Sequence, residues 1–229
     1  MASQRRSFGA FTLVELLVAV AVISVMASIL LPVLGRARAT AHSVECCSNL
    51  RQWGMALLMY TNDYEGYIPR RGQGSRELTK IDRESDWFNC LPPYLGELPY
   101  GQLVAEGRQP MAGHKSIFIC PSSEDPGCLH FFPYAMNRYL SPWARPEPHN
   151  ITEIPAWTRV AFLAEGPGPY SSTEPWSKPF SVVARHGGKS NVLFLDGHVR
   201  SFSAEYLGCG VRDPMREDVR WKPGVDEYE

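Results

Sequence analysis

The feature that most constrains this chain is an apolar segment close to its N-terminus. From Phe11 to Leu31 the sequence reads FTLVELLVAVAVISVMASILL, and Glu15 is the one charged residue in it. As a helix this segment would be about 32 Å long, enough to cross the hydrocarbon core of a bilayer. A signal peptide has a shorter apolar region of roughly 7 to 15 residues. The segment therefore predicts a membrane-spanning helix.

The position of Glu15 indicates that this segment does more than anchor the chain in a membrane. An ionised carboxylate near a membrane boundary is costly, so it implies a partner, commonly a positive charge on another chain. The run GAFTLVELL from Gly9 to Leu17 resembles the type IV prepilin processing signal, in which a basic leader and a Gly precede FTLIELL. Arg5 and Arg6 supply the basic leader.

This resemblance implies how the N-terminus is processed and used. Prepilin peptidase would cleave the Ala10–Phe11 bond on the cytoplasmic side and methylate the new amine of Phe11. Glu15, the fifth residue after the cut, would set the register between subunits during assembly. Pro32, the twenty-second, matches a Pro often found where pilin helices leave the membrane. Ala10 departs from the Gly usual before the cut, so we expect slower processing.

The chain then divides into a leader (1–10), a transmembrane assembly helix (11–31), an amphipathic continuation (32–62), a β-rich head (63–210) and a charged tail (211–229). Apolar residues at helical spacing predict which face of the continuation packs on the head; they are Ala37, Ala41, Val44, Leu50, Leu57 and Tyr60. The many charges of the tail predict a solvated extension.

The head is rich in Gly and Pro, and short strands are predicted at 116–119, 159–164, 181–184, 191–195 and 198–202. Asp196-Gly197 predicts a two-residue hairpin turn in which both residues have positive φ. Apolar residues on both faces of 191–195 place that strand centrally. We therefore expect an α+β, pilin-like fold, with the long helix packed on an antiparallel sheet.

A second resemblance lies in this β-rich region. His186, nine intervening residues and Asp196-Gly197-His198 are similar to the H-X9-DG signature of pilin-like families that carry the same processing signal. If His186 and Asp196 lie at opposite ends of one strand, their spacing records the length of that strand. We therefore expect structural roles for His186, Asp196, Gly197 and His198.

These residue types also bind metals, so alternatives must be considered. A metal-dependent hydrolase would be built on His186, Asp196 and His198. Some pseudopilins hold calcium in the head, and Asp196, Glu165 or Asp213 could do so here. No dense acidic loop supports a calcium site, and we expect neither enzymatic activity nor a cofactor.

The six cysteines favour an exported, disulfide-permissive location. They allow fifteen pairings, which the sequence alone does not resolve. Cys46 and Cys120 occupy positions similar to family landmarks, and the resemblance implies a disulfide between them. Cys120–Cys128 is the local alternative.

Together the resemblances imply a structural subunit of a type IV pilus-like or type II secretion pseudopilus-like assembly. Its partners would be prepilin peptidase, other pilin or pseudopilin subunits and the membrane. It would cross the bacterial inner membrane once, with its head periplasmic or extracellular. A net charge of −1 predicts no nucleic-acid partner. The alternative is a membrane-anchored binding protein that presents exposed tryptophans, namely Trp87, Trp143, Trp157 and Trp176.

Overall fold

A computed structural model of the chain describes residues 12–72, 81–124, 127–141, 148–173, 181–209 and 216–224. The chain forms two compact units, residues 1–40 and residues 41–229, and each is described by itself. Two predicted processing residues, Ala10 and Phe11, lie outside the described residues.

The long helix α1 spans Leu13–Asp63 and contains Pro32. An 18-residue window of α1 has a mean hydropathy of 2.7, and none of that window is buried. By length and composition, α1 is the one helix among the described residues that can cross a membrane. At its end, the N–H of Gly66 donates to the carbonyl of Thr61 at 2.7 Å, and Gly66 has a φ of +88°. The predicted continuous helix and its predicted end are both confirmed.

The part of α1 in the second unit buries one face in the head. Cys46, Leu50, Trp53, Leu57 and Tyr60 lie on that face at spacings of three and four residues, and each is at most 6% exposed.

The predicted face was right at Leu50, Leu57 and Tyr60 but wrong nearer the membrane segment. Val44 is 62% exposed, and Ala37 and Ala41 are exposed as well. The apolar pattern predicted the wrong face here because small apolar residues occur on more than one side of this part of α1.

The head contains a five-stranded sheet with the strand order β3-β1-β2-β4-β5. Adjacent strands are antiparallel, except that β3 runs parallel to β1. The predicted α+β fold with a long helix on a sheet is confirmed, but the sheet is mixed rather than wholly antiparallel. The strands are β1 (Phe132–Asn137), β2 (Ala161–Gly168), β3 (Ser172–Thr173), β4 (Lys189–Phe194) and β5 (Val199–Ser203).

Two of the predicted strands do not form. Residues 116–119 make a turn in which the N–H of Ile119 donates to the carbonyl of Ser116 at 3.1 Å. Residues 182–184 do not form a strand, although the N–H of Val183 donates to the carbonyl of Glu165 at 2.8 Å. In contrast, β1 was missed, because Pro133 within it is a residue that rarely occurs in sheet interiors.

Strand β4 is covered on both faces, as predicted. Leu193 and Leu195 belong to the large core that also contains the buried face of α1. Val192 and Phe194 point to the opposite face and join a second core. That second core also includes Leu207 of the short helix α4 (Ala204–Leu207).

Part of the predicted solvated tail is instead folded onto the sheet. In residues 216–224, Val219 is 4% exposed and Trp221 is 2% exposed, and both join the second core. Asn137 Nδ2 donates to the carbonyl of Trp221 at 2.7 Å. The prediction of a solvated tail rested on its many charges and overlooked Val219 and Trp221, which cover the outer face of the sheet.

On the other side of the sheet, two short helices complete the large core. They are α2 (Trp87–Cys90) and α3 (Tyr100–Ala105). The rings of Trp53 and Trp87 meet edge to face with centroids 5.2 Å apart, so α1 and α2 are joined by aromatic packing.

Candidate functional site

The start of α1 forms a reciprocal hydrogen-bonded cap. The backbone N–H and the hydroxyl of Thr12 donate to Oε2 of Glu15 at 2.9 and 2.8 Å. The N–H of Glu15 donates in return to Oγ1 of Thr12 at 3.2 Å. This is a capping box, which satisfies donors that a helix start otherwise leaves unpaired. The one acidic residue of the apolar segment therefore also defines where the helix begins.

Beyond this cap, the first unit exposes apolar side chains on all sides of α1. Leu13 is 80% exposed, and Leu31 is 68% exposed. A helix that is apolar all round requires either lipid or protein around it. This surface therefore fits a bilayer or the apolar surface of another protein segment.

At the far end of β4, Asp196 and His198 stabilise the turn to β5. Oδ1 of Asp196 accepts from the N–H of His198 at 3.2 Å and pairs with Nδ1 of the same residue. The imidazole of His198 stacks on Phe194 with centroids 4.2 Å apart. These contacts are local and fit the structural roles predicted for both residues.

The turn itself differs from the predicted two-residue type. Only Gly197, with a φ of +85°, has positive φ in this turn, and the N–H of Gly197 donates to the carbonyl of Phe194 at 3.0 Å. The N–H of Phe194 in turn donates to the carbonyl of His198 at 3.0 Å. The loop therefore has three residues and ends in a left-handed glycine.

Gly197 lies directly against α1. A Cβ added at Gly54 would be 2.9 Å from both Cα and the carbonyl oxygen of Gly197. It would also be 2.9 Å from Cδ1 of Leu193. Helix and turn therefore touch through two glycines.

At the other end of β4, His186 enters a buried polar cluster. Its Nε2 is 2.9 Å from Oε1 of Glu165 and 3.5 Å from Sγ of Cys120. Its Nδ1 is 3.5 Å from Oγ of Ser122. The side chain of His186 is 4% exposed and that of Glu165 is 0% exposed.

Cys46 of α1 completes the cluster. Its Sγ donates to Oε1 of Glu165 at 3.0 Å. One ligand atom each from Cys46, Cys120, Glu165 and His186 lies within 4.8 Å of the other three. Cys46 and Cys120 are free cysteines, so the predicted disulfide partners are adjacent but not bonded. Cys128 instead donates to the carbonyl of His130 at 3.0 Å.

The hydrogen bonding of Glu165 is uneven. Oε1 also accepts from the N–H of Asn191 at 3.3 Å and from Nδ2 of Asn191 at 3.0 Å. Within the described ranges, no hydrogen-bond partner reaches Oε2, although this atom is buried. Burial lowers the pKa of His186, but its hydrogen bonds to Cys46 and Glu165 outweigh this and raise the pKa to about 9. A hydrogen bond to Cys120, together with burial, raises the pKa of the Cys46 thiol well above its usual range.

The structure does not bring together His186, Asp196 and His198, the three residues of the alternative hydrolase hypothesis. The six residues of β4 separate His186 from the other two, a span of roughly 20 Å for an extended strand. Of the residues considered for calcium, Glu165 lies in the cysteine cluster, Asp196 lies in the turn, and Asp213 lies outside the described residues.

Of the four tryptophans considered for a binding surface, the structure describes Trp87 and Trp157, and only Trp157 is exposed. Trp87 is 1% exposed, and its Nε1 donates to the carbonyl of Ser171 at 3.1 Å. Trp157 is 36% exposed. Trp143 and Trp176 lie outside the described residues.

Sequence reasoning identified each member of the cysteine cluster but did not bring them together. The signal that was not used is the position of Glu165, a carboxylate that directly follows the apolar run from Phe162 to Ala164 within strand β2. A charge in such a strand needs buried partners, and the chain offers Cys46 and His186 for that purpose.

Comparison with known protein families identifies a motif in the N-terminal part of the chain. Residues 5–31 match the family model described as the prokaryotic N-terminal methylation motif. This match, together with the exposed apolar helix, supports a prepilin-type, pilin-like protein anchored in a membrane. Neither a curated protein nor a solved structure shows significant similarity to the chain.

Proposed function

We propose that this prepilin-type protein is a non-enzymatic subunit of a type IV pilus-like or type II secretion pseudopilus-like assembly. The observation that carries the proposal is the methylation motif at residues 5–31, which coincides with a capped apolar helix exposed on all sides. Such a helix can span a bilayer before assembly and can then pack side by side with the same helix of other subunits.

In this proposal prepilin peptidase hydrolyses the Ala10–Phe11 bond. Water adds across the bond, which leaves a carboxylate on Ala10 and an amine on Phe11, and a methyl donor then methylates the amine. The protein crosses the inner membrane once, and its head lies outside the cytoplasm. The new positive charge of one subunit meets Glu15 of its neighbour, which removes an unpaired carboxylate from the apolar layer.

The Glu15→Val variant tests the assembly step. We expect it to insert into the membrane as the wild type does, because the substitution makes the segment more apolar. We expect chemical cross-linking in cells that contain prepilin peptidase to trap no oligomers of this variant.

Glu45→Val is the matched control, because Glu45 lies on the same helix, is exposed and belongs to the head unit. It should form the same oligomers as the wild type. Normal oligomers from Glu15→Val would contradict the proposed role of Glu15.

A further inference from the structure

We propose that Cys46, Cys120, Glu165 and His186 bind one divalent metal ion of the zinc class, which joins the long helix to the sheet. The four residues come from α1, the loop after 116–119, strand β2 and the turn before β4. An ion bound by all four would connect segments that are far apart in the sequence. This inference does not depend on the proposed assembly function.

The donor set selects the class of metal. Two sulfur atoms, one imidazole nitrogen and one carboxylate oxygen are ligands that Zn²⁺ accepts in a tetrahedral arrangement. Calcium and magnesium prefer oxygen ligands alone. The sulfur atoms of Cys46 and Cys120 therefore favour zinc over the calcium considered for Glu165.

The distances in the cluster are close to those of a tetrahedral zinc site. Zinc–sulfur bonds of about 2.3 Å and zinc–nitrogen or zinc–oxygen bonds of about 2.0 Å place neighbouring ligand atoms about 3.3 to 3.8 Å apart. Sγ of Cys120 and Nε2 of His186 are 3.5 Å apart. Oε1 of Glu165 is 3.0 Å from Sγ of Cys46 and 2.9 Å from Nε2 of His186. All six distances between ligand atoms are at most 4.8 Å, so small side-chain shifts toward a common centre would admit the ion.

Two buried groups at the cluster bear on a bound cation, namely the carboxylate of Glu165 and the hydroxyl of Tyr134. In the part of the chain that the structure describes, Oε2 of Glu165 has no hydrogen-bond partner, and the hydroxyl of Tyr134 lies beside Cys46 and Asn49. Tyr134 is the cross-strand partner of Glu165 and lies near both Cys46 and Cys120. A metal ion would add positive charge beside the buried carboxylate, and a metal-bound thiolate of Cys46 would accept a hydrogen bond from the Tyr134 hydroxyl.

Neighbouring groups already orient the ligands. Ser122 faces Nδ1 of His186, which leaves Nε2 directed at Cys120 and Glu165. Asn191 holds Oε1 of Glu165 through its backbone and its side chain. Such outer hydrogen bonds fix ligand geometry in metal sites.

With four protein ligands and almost no exposure, the site is closed. Cys46, Cys120 and Glu165 are 0% exposed, and the His186 side chain is 4% exposed. A closed zinc site is structural, because catalytic sites keep one position for water or substrate.

Metal binding and a disulfide exclude one another at this place. Binding of the ion releases the thiol protons of Cys46 and Cys120 and the Nε2 proton of His186 to solvent, and no electrons are transferred. A disulfide would instead require an oxidant that removes two electrons and would leave no thiolate to bind the ion. The two states therefore differ in both metal content and free thiols.

The test uses the full chain, produced in medium that contains zinc and purified in detergent without a chelator. Metal analysis should find about one zinc per wild-type chain. Cys46→Ser and His186→Gln should reduce the content at least tenfold. Cys47→Ser and His198→Gln are matched controls and should keep it, because the adjacent cysteine and the other signature histidine lie outside the cluster.

A measurement on the wild type avoids reliance on variants that fail to fold. After replacement of zinc by cobalt, the protein should show a thiolate-to-cobalt charge-transfer band and the visible bands of a tetrahedral site. A wild-type chain that binds neither ion stoichiometrically, or a Cys46–Cys120 disulfide found by peptide mass spectrometry, would overturn the proposal. N-terminal methylation, read on the same sample, tests the proposed function separately.

Discussion

Gly54 of helix α1 and Gly197 of the β4–β5 turn approach so closely that a Cβ on Gly54 would lie 2.9 Å from Cα of Gly197. Eight residues earlier on the same helix, Cys46 contacts Glu165 beside His186. Both ends of the signature from His186 to Gly197 are therefore held against α1. The nine residues between His186 and Asp196 contain strand β4, so the spacing of the signature corresponds to the length of strand between these two contacts.

Gly54→Ala should destabilise the head, because the added Cβ would overlap the backbone of Gly197 and neither the helix nor the turn can move freely. We expect a loss of about 1 to 3 kcal/mol in the free energy of unfolding. Denaturant unfolding in detergent, followed by tryptophan fluorescence, measures it.

Gly35→Ala is the control on the same helix. Nothing lies within 4 Å of a Cβ at Gly35, so this variant should be as stable as the wild type or slightly more stable. Equal midpoints for the Gly54 and Gly35 variants would contradict the close contact.

Trp221→Ala tests whether residues 216–224 belong to the fold. Trp221 is 2% exposed in the second core, so its removal should leave a cavity and cost about 3 to 5 kcal/mol of stability. Trp157→Ala, at a position that is 36% exposed, should cost about 1 kcal/mol. Thermal unfolding compares the two, and similar losses would mean that the tail segment is not packed in solution.

Asp86 predicts a pH dependence of stability. Burial raises the pKa of its carboxyl to about 6, although Arg83 and Arg70 act in the opposite direction. Because this pKa is above the unfolded value of 3.8, the folded state binds the proton more strongly. The contribution of Asp86 to stability should therefore fall as the pH rises from about 4 to 6, by up to about 3 kcal/mol.

Asp86→Asn should remove this dependence, since the amide stays neutral and can still occupy the start of α2. Unfolding curves of wild type and variant at several pH values measure the difference. Glu84→Gln, at an exposed position nearby, is the control and should keep the wild-type profile. A constant difference between wild type and Asp86→Asn across this range would contradict the role of burial.

The sequence predicted those parts of the fold in which one local signal dominates. The length and apolarity of α1 and the hairpin at Asp196-Gly197 are signals of this kind, and both elements form, although the hairpin loop has three residues rather than two. Strand β1 was hidden because it contains Pro133, and its pairing with β2 and β3 depends on residues far along the chain.

The cysteine cluster was also hard to predict, because it too depends on contacts between residues that are far apart in the sequence. Cys46, Cys120 and His186 were each singled out, but only the folded chain places them around Glu165. Helix, loop, strand and turn must all be positioned before these side chains meet, and no local pattern encodes that arrangement. The pairing of two cysteines was predicted, whereas the four-residue environment was not.

The most direct test of the central claim is mass spectrometry of the N-terminal peptide, with and without a prepilin peptidase in the producing cells. With the peptidase, the chain should begin at Phe11 and carry one methyl group on its amine. Without it, the leader that ends at Ala10 should remain attached. A chain that keeps its leader in the presence of an active peptidase, or that is cut elsewhere, would contradict the account.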